Sequence, residues 1–136
     1  MNSDRLAITI RRVDDQGYRL EMSDDCWLAA VNCLNEFVNG VRVVDHELMV
    51  GASRNNLRLA LDSLNGWSMA DSGLRASVMV SAEERALEAA LNALVIGDWM
   101  TPTEFHPRIG VFREDVLELT SRLRALRVLA DENFGA

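Results

Sequence analysis

Two short clusters in the sequence pair an imidazole with carboxylates, Asp45-His46-Glu47 and Glu104-Phe105-His106. Carboxylate plus imidazole is a donor set for a divalent metal. The spacing matches no established motif such as H-E-x-x-H. On an extended segment His46 and Glu47 would point to opposite faces and could not hold one ion together. His46, Glu47, Glu104 and His106 therefore form a metal or catalytic site only if the fold brings both segments to one place. The competing expectation is structural: Glu47 and Glu104 are each followed by an arginine, Arg54 and Arg113, and a repeated acid with a repeated arginine reads as an ion pair built twice.

Cys26 and Cys33 are the thiols available for nucleophilic chemistry, seven residues apart on one predicted helix. A rise of 1.5 Å per residue separates them by about 10 Å, too far to bridge. Neither lies in a family signature, and Cys33 has no basic neighbour to lower its pKa. No G-x-S-x-G elbow, phosphate loop or dinucleotide fingerprint is present. The sequence carries no catalytic signature, so no catalytic residue and no cofactor are assigned. Four aromatics, Trp67, Trp99, Phe105 and Phe112, fall in or beside predicted loops and are the candidate interface residues. Trp99 to Phe112 is the longest irregular stretch and the first place to look for a partner surface.

These residues must be positioned by 136 residues, enough for one domain with its own core. Hydrophobic residues are 49% and charged residues 26%, values that argue against disorder. The net charge of −7 disfavours nucleic acid and anionic membrane surfaces and permits a basic protein partner. All basic residues are arginine, a usage that a high-GC genome explains without function. Met1 to Arg12 is charged and alternating, and no stretch reaches the length of a membrane span; a cytoplasmic protein with reduced thiols is expected.

Leu6, Ile8 and Ile10 alternate with polar positions, as do Tyr18, Leu20 and Met22, with the turn cluster Asp14 to Gly17 between them. A hairpin from about Arg5 to Met22 follows. Ser23 caps a helix through Trp27, Leu34 and Phe37 that stops at Asn39-Gly40, with Gly40 left-handed. Val41 to Val50 reads as extended. Ser53 caps a helix ending at Asn65-Gly66, and Leu74 to Val80 reads as a strand. Ser81 and Glu84 read as a capping box opening a helix that stops near Gly97. Asp98 to Gly110, with Pro102 and Pro107, reads as a loop or edge segment. The last helix runs from about Arg113 to Asp131 on a stripe of Val116, Leu119, Leu123, Leu126 and Leu129.

The two halves resemble each other. Strand, serine cap, Leu34-Asn35, Val38 and Gly40 match strand, Ser81, Leu91-Asn92, Val95 and Gly97. Glu47, Gly51, Arg54 and Leu64 then match Glu104, Gly110, Arg113 and Leu123. An internal repeat over 18–66 and 74–126 follows. The expected fold is one α+β domain over 1–136, a pseudo-two-fold duplicated β-α-(β/loop)-α unit. Its sheet is antiparallel or mixed, with about four helices on one face. The expected function is a non-enzymatic protein-binding module of the immunity or adaptor kind. A small metal protein or enzyme using His46, Glu47, Glu104 and His106 is the alternative, and a structural homodimer is the other.

Overall fold

The computed structural model describes residues 3–134. The period-2 segments form the hairpin expected of them: β1 (Ile8–Arg12) pairs antiparallel with β2 (Gly17–Met22), Ile8 opposite Met22 and Arg12 opposite Tyr18. The Asp14 carboxylate closes the turn by accepting from the Gln16 and Gly17 amides at 2.8 and 2.9 Å. Glycine is required at 17 by closeness, not by a left-handed φ: a Cβ there would stand 2.6 Å from the Met79 carbonyl oxygen. Strands β3 (Ser68–Met69) and β4 (Arg75–Val80) make a second hairpin. The order β1-β2-β4-β3 sets β2 beside β4, Gly17 opposite Val80 and Met22 opposite Arg75, antiparallel throughout.

Among the described residues there are six α-helices, against the four or so expected, three after each hairpin: α1 (Asp24–Asn35), α2 (His46–Met49), α3 (Arg54–Asn65), α4 (Ser81–Ile96), α5 (Pro102–Ile109) and α6 (Arg113–Phe134). Ser23 and Ser53 cap α1 and α3 as their side chains predict, accepting from the Cys26 and Asn56 amides at 3.4 and 3.1 Å. The helix C-terminal to Ser23 closes through a π turn, Glu36–Gly40, with the Val41 amide on the Glu36 carbonyl, so Gly40 is not a left-handed cap.

Three local expectations are corrected. Val41 to Val50 is not extended throughout: Asp45 caps α2 by accepting from the Leu48 amide at 3.1 Å, and the segment has no strand beside it. Asp98 to Gly110 is a loop only as far as Thr101 and then a helix: Thr101 and Glu104 form a reciprocal capping box, Pro102 sits at the helix start where its missing N–H costs nothing, and left-handed Gly110 ends α5. Pro107 lies only two residues before that end. At α4 the capping box read from Ser81 and Glu84 does not form. The N-cap is Val80, the Ser81 hydroxyl donates to the Gln16 carbonyl at 3.0 Å, and Glu84 turns inward.

One face of the sheet meets the helices. Tyr18, Leu20, Met22 and Met79 on that face pack with Leu34 and Phe37, Leu57 and Leu64, Leu87, Leu91 and Leu94, Ile109, Val116 and Leu123 in one core. Burying side chains of this kind contributes about 1.5–3 kcal/mol each before entropy is counted. The opposite face carries Thr9, Arg11, Val78 and Val80, all exposed. No helix among the described residues is long and apolar enough to cross a membrane.

Candidate functional site: a cleft on the second half and a buried carboxyl pair

The fold disperses most of the residues that the sequence singled out. His46 begins α2 and its Nε2 donates to the Phe37 carbonyl oxygen at 2.9 Å, closing the π turn from outside. Glu47 is exposed. Glu104 is spent on the α5 capping box and on Arg108, and its carboxyl is held below the usual range by the Thr101 amide and hydroxyl. His106 is exposed on α5 with its ring on Phe112, centroids 4.4 Å apart. Among the described residues no group of three or more His, Cys, Asp or Glu side chains is placed to hold a metal ion. Cys26 and Cys33 are fully buried, and burial pushes both thiols up, away from the reactive thiolate.

The expected Glu47–Arg54 and Glu104–Arg113 pairs do not form. Arg54 Nη2 donates instead to the Val38 carbonyl at 3.1 Å, and Arg113 Nη2 donates to the Val95 carbonyl. Each arginine thus binds a carbonyl near the end of the helix two elements earlier, a site of negative partial charge. Gly51 and Gly110 are both left-handed, with φ of 96° and 99°. A Cβ at Gly110 would meet Leu28 of α1, and a Cβ at Gly51 would meet Ala89 of α4.

Of the four candidate interface aromatics, Phe105 is buried and Trp67 and Trp99 are half-buried. Trp99 stands edge-on to Phe37, centroids 4.9 Å apart, and its Nε1 donates to the Ala93 carbonyl at 3.0 Å. Phe105 is buried in the core cluster. Trp67 lies edge-on to Trp27, with the Arg75 guanidinium 4.0 and 4.2 Å from the two ring centroids, and Asp24 binds Arg75 at 2.8 Å. Phe112 alone stays open, at 55% exposure.

Phe112 lies between α5 and α6 on a cleft of about 310 Å³. Met100, Phe105 and Phe112 supply its apolar lining, His106 one wall, and Asp98 and Glu114 two carboxylates at its rim. Neither Asp98 nor Glu114 has an ion-pair partner among the described residues, while the nearby Arg113 is turned to Val95. Arg113 also lines the cleft, so an apolar slot is combined with two carboxylates and one guanidinium, a net negative setting for the aliphatic stem and charged head of a long basic side chain.

A second cluster lies where the sequence reading assigned nothing. Glu84 and Glu88, one helical turn apart on α4, are 0% and 4% exposed. Arg127 of α6 grips Glu88 with two hydrogen bonds, 2.8 and 3.2 Å. Neither oxygen of Glu84 has a hydrogen-bond partner; Arg85 and Arg127 stand 3.5 and 3.9 Å from Oε1. Burial, and then the hydrogen bond and charge of Glu88, push the Glu84 carboxyl up to about 9. It therefore carries a proton at neutral pH, which turns an acceptor without a donor into a donor toward Glu88. Burial also acts upward on Glu88, but the Arg127 and Glu84 hydrogen bonds outweigh it and hold Glu88 below the ordinary range. The signal was present in the sequence: Glu84 precedes Leu87 by three residues and Glu88 precedes Leu91 by three, so both acids sit in the apolar stripe of α4. Arg127 likewise continues the Val116, Thr120, Leu123 stripe of α6.

Compared with protein families, with curated proteins and with solved structures, the chain finds no match in any of the three.

Proposed function

We propose that the chain is a non-enzymatic, cytoplasmic protein-binding module that takes a basic segment of its partner at the α5–α6 cleft. The observation that carries this reading is Phe112, half open to solvent beside two carboxylates without partners. The solvent-facing part of the phenyl ring returns nothing to the folded state, whereas a docked guanidinium or ammonium stem would cover it and offset the charge of the two carboxylates. The net charge of −7 adds long-range attraction for a basic partner.

The reading includes an origin by duplication. Supporting it are the central placing of β2 beside β4 and the succession of three helices after each. So are the matched Arg54–Val38 and Arg113–Val95 bonds, and the two left-handed glycines that each pack on the first helix of the other half.

The test is an NMR titration with a short Arg-Gly peptide, with a Glu-Gly peptide of equal length as control. Shifts centred on Asp98, Phe112 and Glu114, weakened by salt and lost in the D98N/E114Q variant, are expected. No cleft shifts at millimolar peptide, or shifts indifferent to the double substitution, would overturn the reading. The open sheet face favours a second reading, a homodimer through Val78 and Val80, which are 59% and 48% exposed. Against it, Arg11 stands opposite Arg19 in register on the same face, and two copies would bring those charges together. Light scattering decides, since a monomer at high concentration removes the dimer.

A further inference from the structure

Helix α6 is attached in two different ways along its length. Its buried residues, Val116, Leu119, Thr120 and Leu123, all lie in its first half. From Arg124 to Phe134 no side chain is buried: Leu126 is half-buried, and Val128, Leu129 and Phe134 are 39%, 52% and 46% exposed. What holds this half is polar. Arg127 grips Glu88, and Asp131 accepts from the Tyr18 hydroxyl at 2.6 Å and from Arg12 at 2.7 Å. Arg12 also lies over the Phe134 ring, 5.3 Å from its centroid. A helix end that buries little apolar surface belongs to the low-stability part of a fold.

We propose that the C-terminal half of α6 is a strap latched by Glu84, Glu88 and Arg127, closed while Glu84 carries a proton and released when it loses it. The groups that face Glu84 are few. On α4 they are Arg85 and Glu88. On α6 they are Arg127 directly, with Arg124 at 3.5 Å from Glu88 and Asp131 at 3.6 Å from Arg127. Arg12 of β1 reaches the layer through Asp131, and Tyr18 of β2 through Asp131 and Arg85. The α3 side offers the Ser63 hydroxyl, which is spent on Glu83 at 2.6 Å. Among the described residues no charged group of α1, α3, β2 or β4 forms an ion pair with Glu84.

Loss of the proton would place two carboxylates side by side in a buried layer. Arg127 is already committed to Glu88, and Arg85, 3.5 Å from Glu84 Oε1 with its side chain 55% exposed, is the one partner left and makes no hydrogen bond to it. Two like charges in this setting are relieved by water. The least costly route for water is to lift the strap, whose main apolar contact with the core is the half-buried Leu126, and not to open the core. Lifting it would uncover Ile10 of β1, Tyr18 and the carboxyl pair.

The test is amide hydrogen exchange on the full chain at pH 7 and pH 10, corrected for the intrinsic exchange rate. Protection of residues 124–134 is expected to fall at least about tenfold more than that of 113–123, since one pH unit above the midpoint leaves about ten ionised forms per protonated one. E84Q keeps the donor without the titration and is expected to abolish the step. R127M is expected to lower protection of 124–134 already at pH 7 while 113–123 stays protected. Loss of protection in both halves together, or an undiminished step in E84Q, would overturn the proposal. The E84Q comparison still decides if R127M does not fold.

Discussion

Replacing Glu84 by Gln should make the protein more stable at neutral and alkaline pH, and by an amount that grows with pH. The carboxyl sits near its ordinary value of 4.5 in the unfolded chain and is pushed up to about 9 in the folded one. Between these values the native state holds a proton that the unfolded state has released. Stability from this group is therefore complete below the lower value, falls as pH rises, and is lost above the upper one. The slope is at most about 1.4 kcal/mol per pH unit, so over the three units from pH 5 to pH 8 the wild type loses up to about 4 kcal/mol relative to E84Q. Glu88 and Asp131 are both held below the ordinary range, so their contributions persist above it and vanish only in acid, outside this window. Gln is near-isosteric with the protonated acid and donates to Glu88 as it does, so the two proteins should have similar stability near pH 5. Urea unfolding of both proteins at each pH from 5 to 8 measures the difference. Curves that run parallel over that range, whatever their offset, would refute a protonated Glu84 in the folded state.

Gly110→Ala should cost about 1–3 kcal/mol, because φ is left-handed and the new Cβ would meet Leu28 Cδ2 at 2.9 Å. Gly51→Ala, with Ala89 at an ordinary 3.5 Å, should cost less, and thermal melts rank the two. Arg54→Met and Arg113→Met should each cost about 1 kcal/mol and resemble one another, as the loss of one charged donor at a helix end; unequal denaturant midpoints would count against equivalent roles. Cys26 and Cys33 should be silent toward a disulfide reagent in the native protein and react as two thiols in denaturant, since both are fully buried. Phe112→Ser should leave stability within about 0.5 kcal/mol of wild type, as expected for an exposed side chain, yet weaken the peptide shifts at the cleft.

The α+β class, both central strands and the serine caps at Ser23 and Ser53 were legible, because each is written in local alternation or in a side chain that meets its own backbone. Helix α5 was hidden by its prolines. Pro102 marks a helix start as readily as a break, and the Thr101–Glu104 box beside it was the deciding sign. The Ser81–Glu84 box had the right letters and failed because the hairpin turn offered Ser81 a better acceptor, the Gln16 carbonyl, which local spacing does not reveal. Reading Glu84 as the acid of that capping box then concealed the buried carboxyl pair, although its place in the apolar stripe of α4 was in plain view. Arg54 and Arg113 were read as ion-pair partners of Glu47 and Glu104 and bind carbonyls instead, since a carbonyl acceptor leaves no trace in residue type. The cleft was half legible: its segment and Phe112 were named, while Asp98 and Glu114 meet there only through the turn between α5 and α6.

The guanidinium of Arg75, held between the indoles of Trp27 and Trp67, has a bearing on optical experiments. Two of the three tryptophans report on one shared cation, and the third, Trp99, reports on Phe37. None of them touches the far end of the long terminal helix among the described contacts. Tryptophan emission would therefore follow the collapse of the second hairpin onto α1 and pass silently over any detachment at the opposite end.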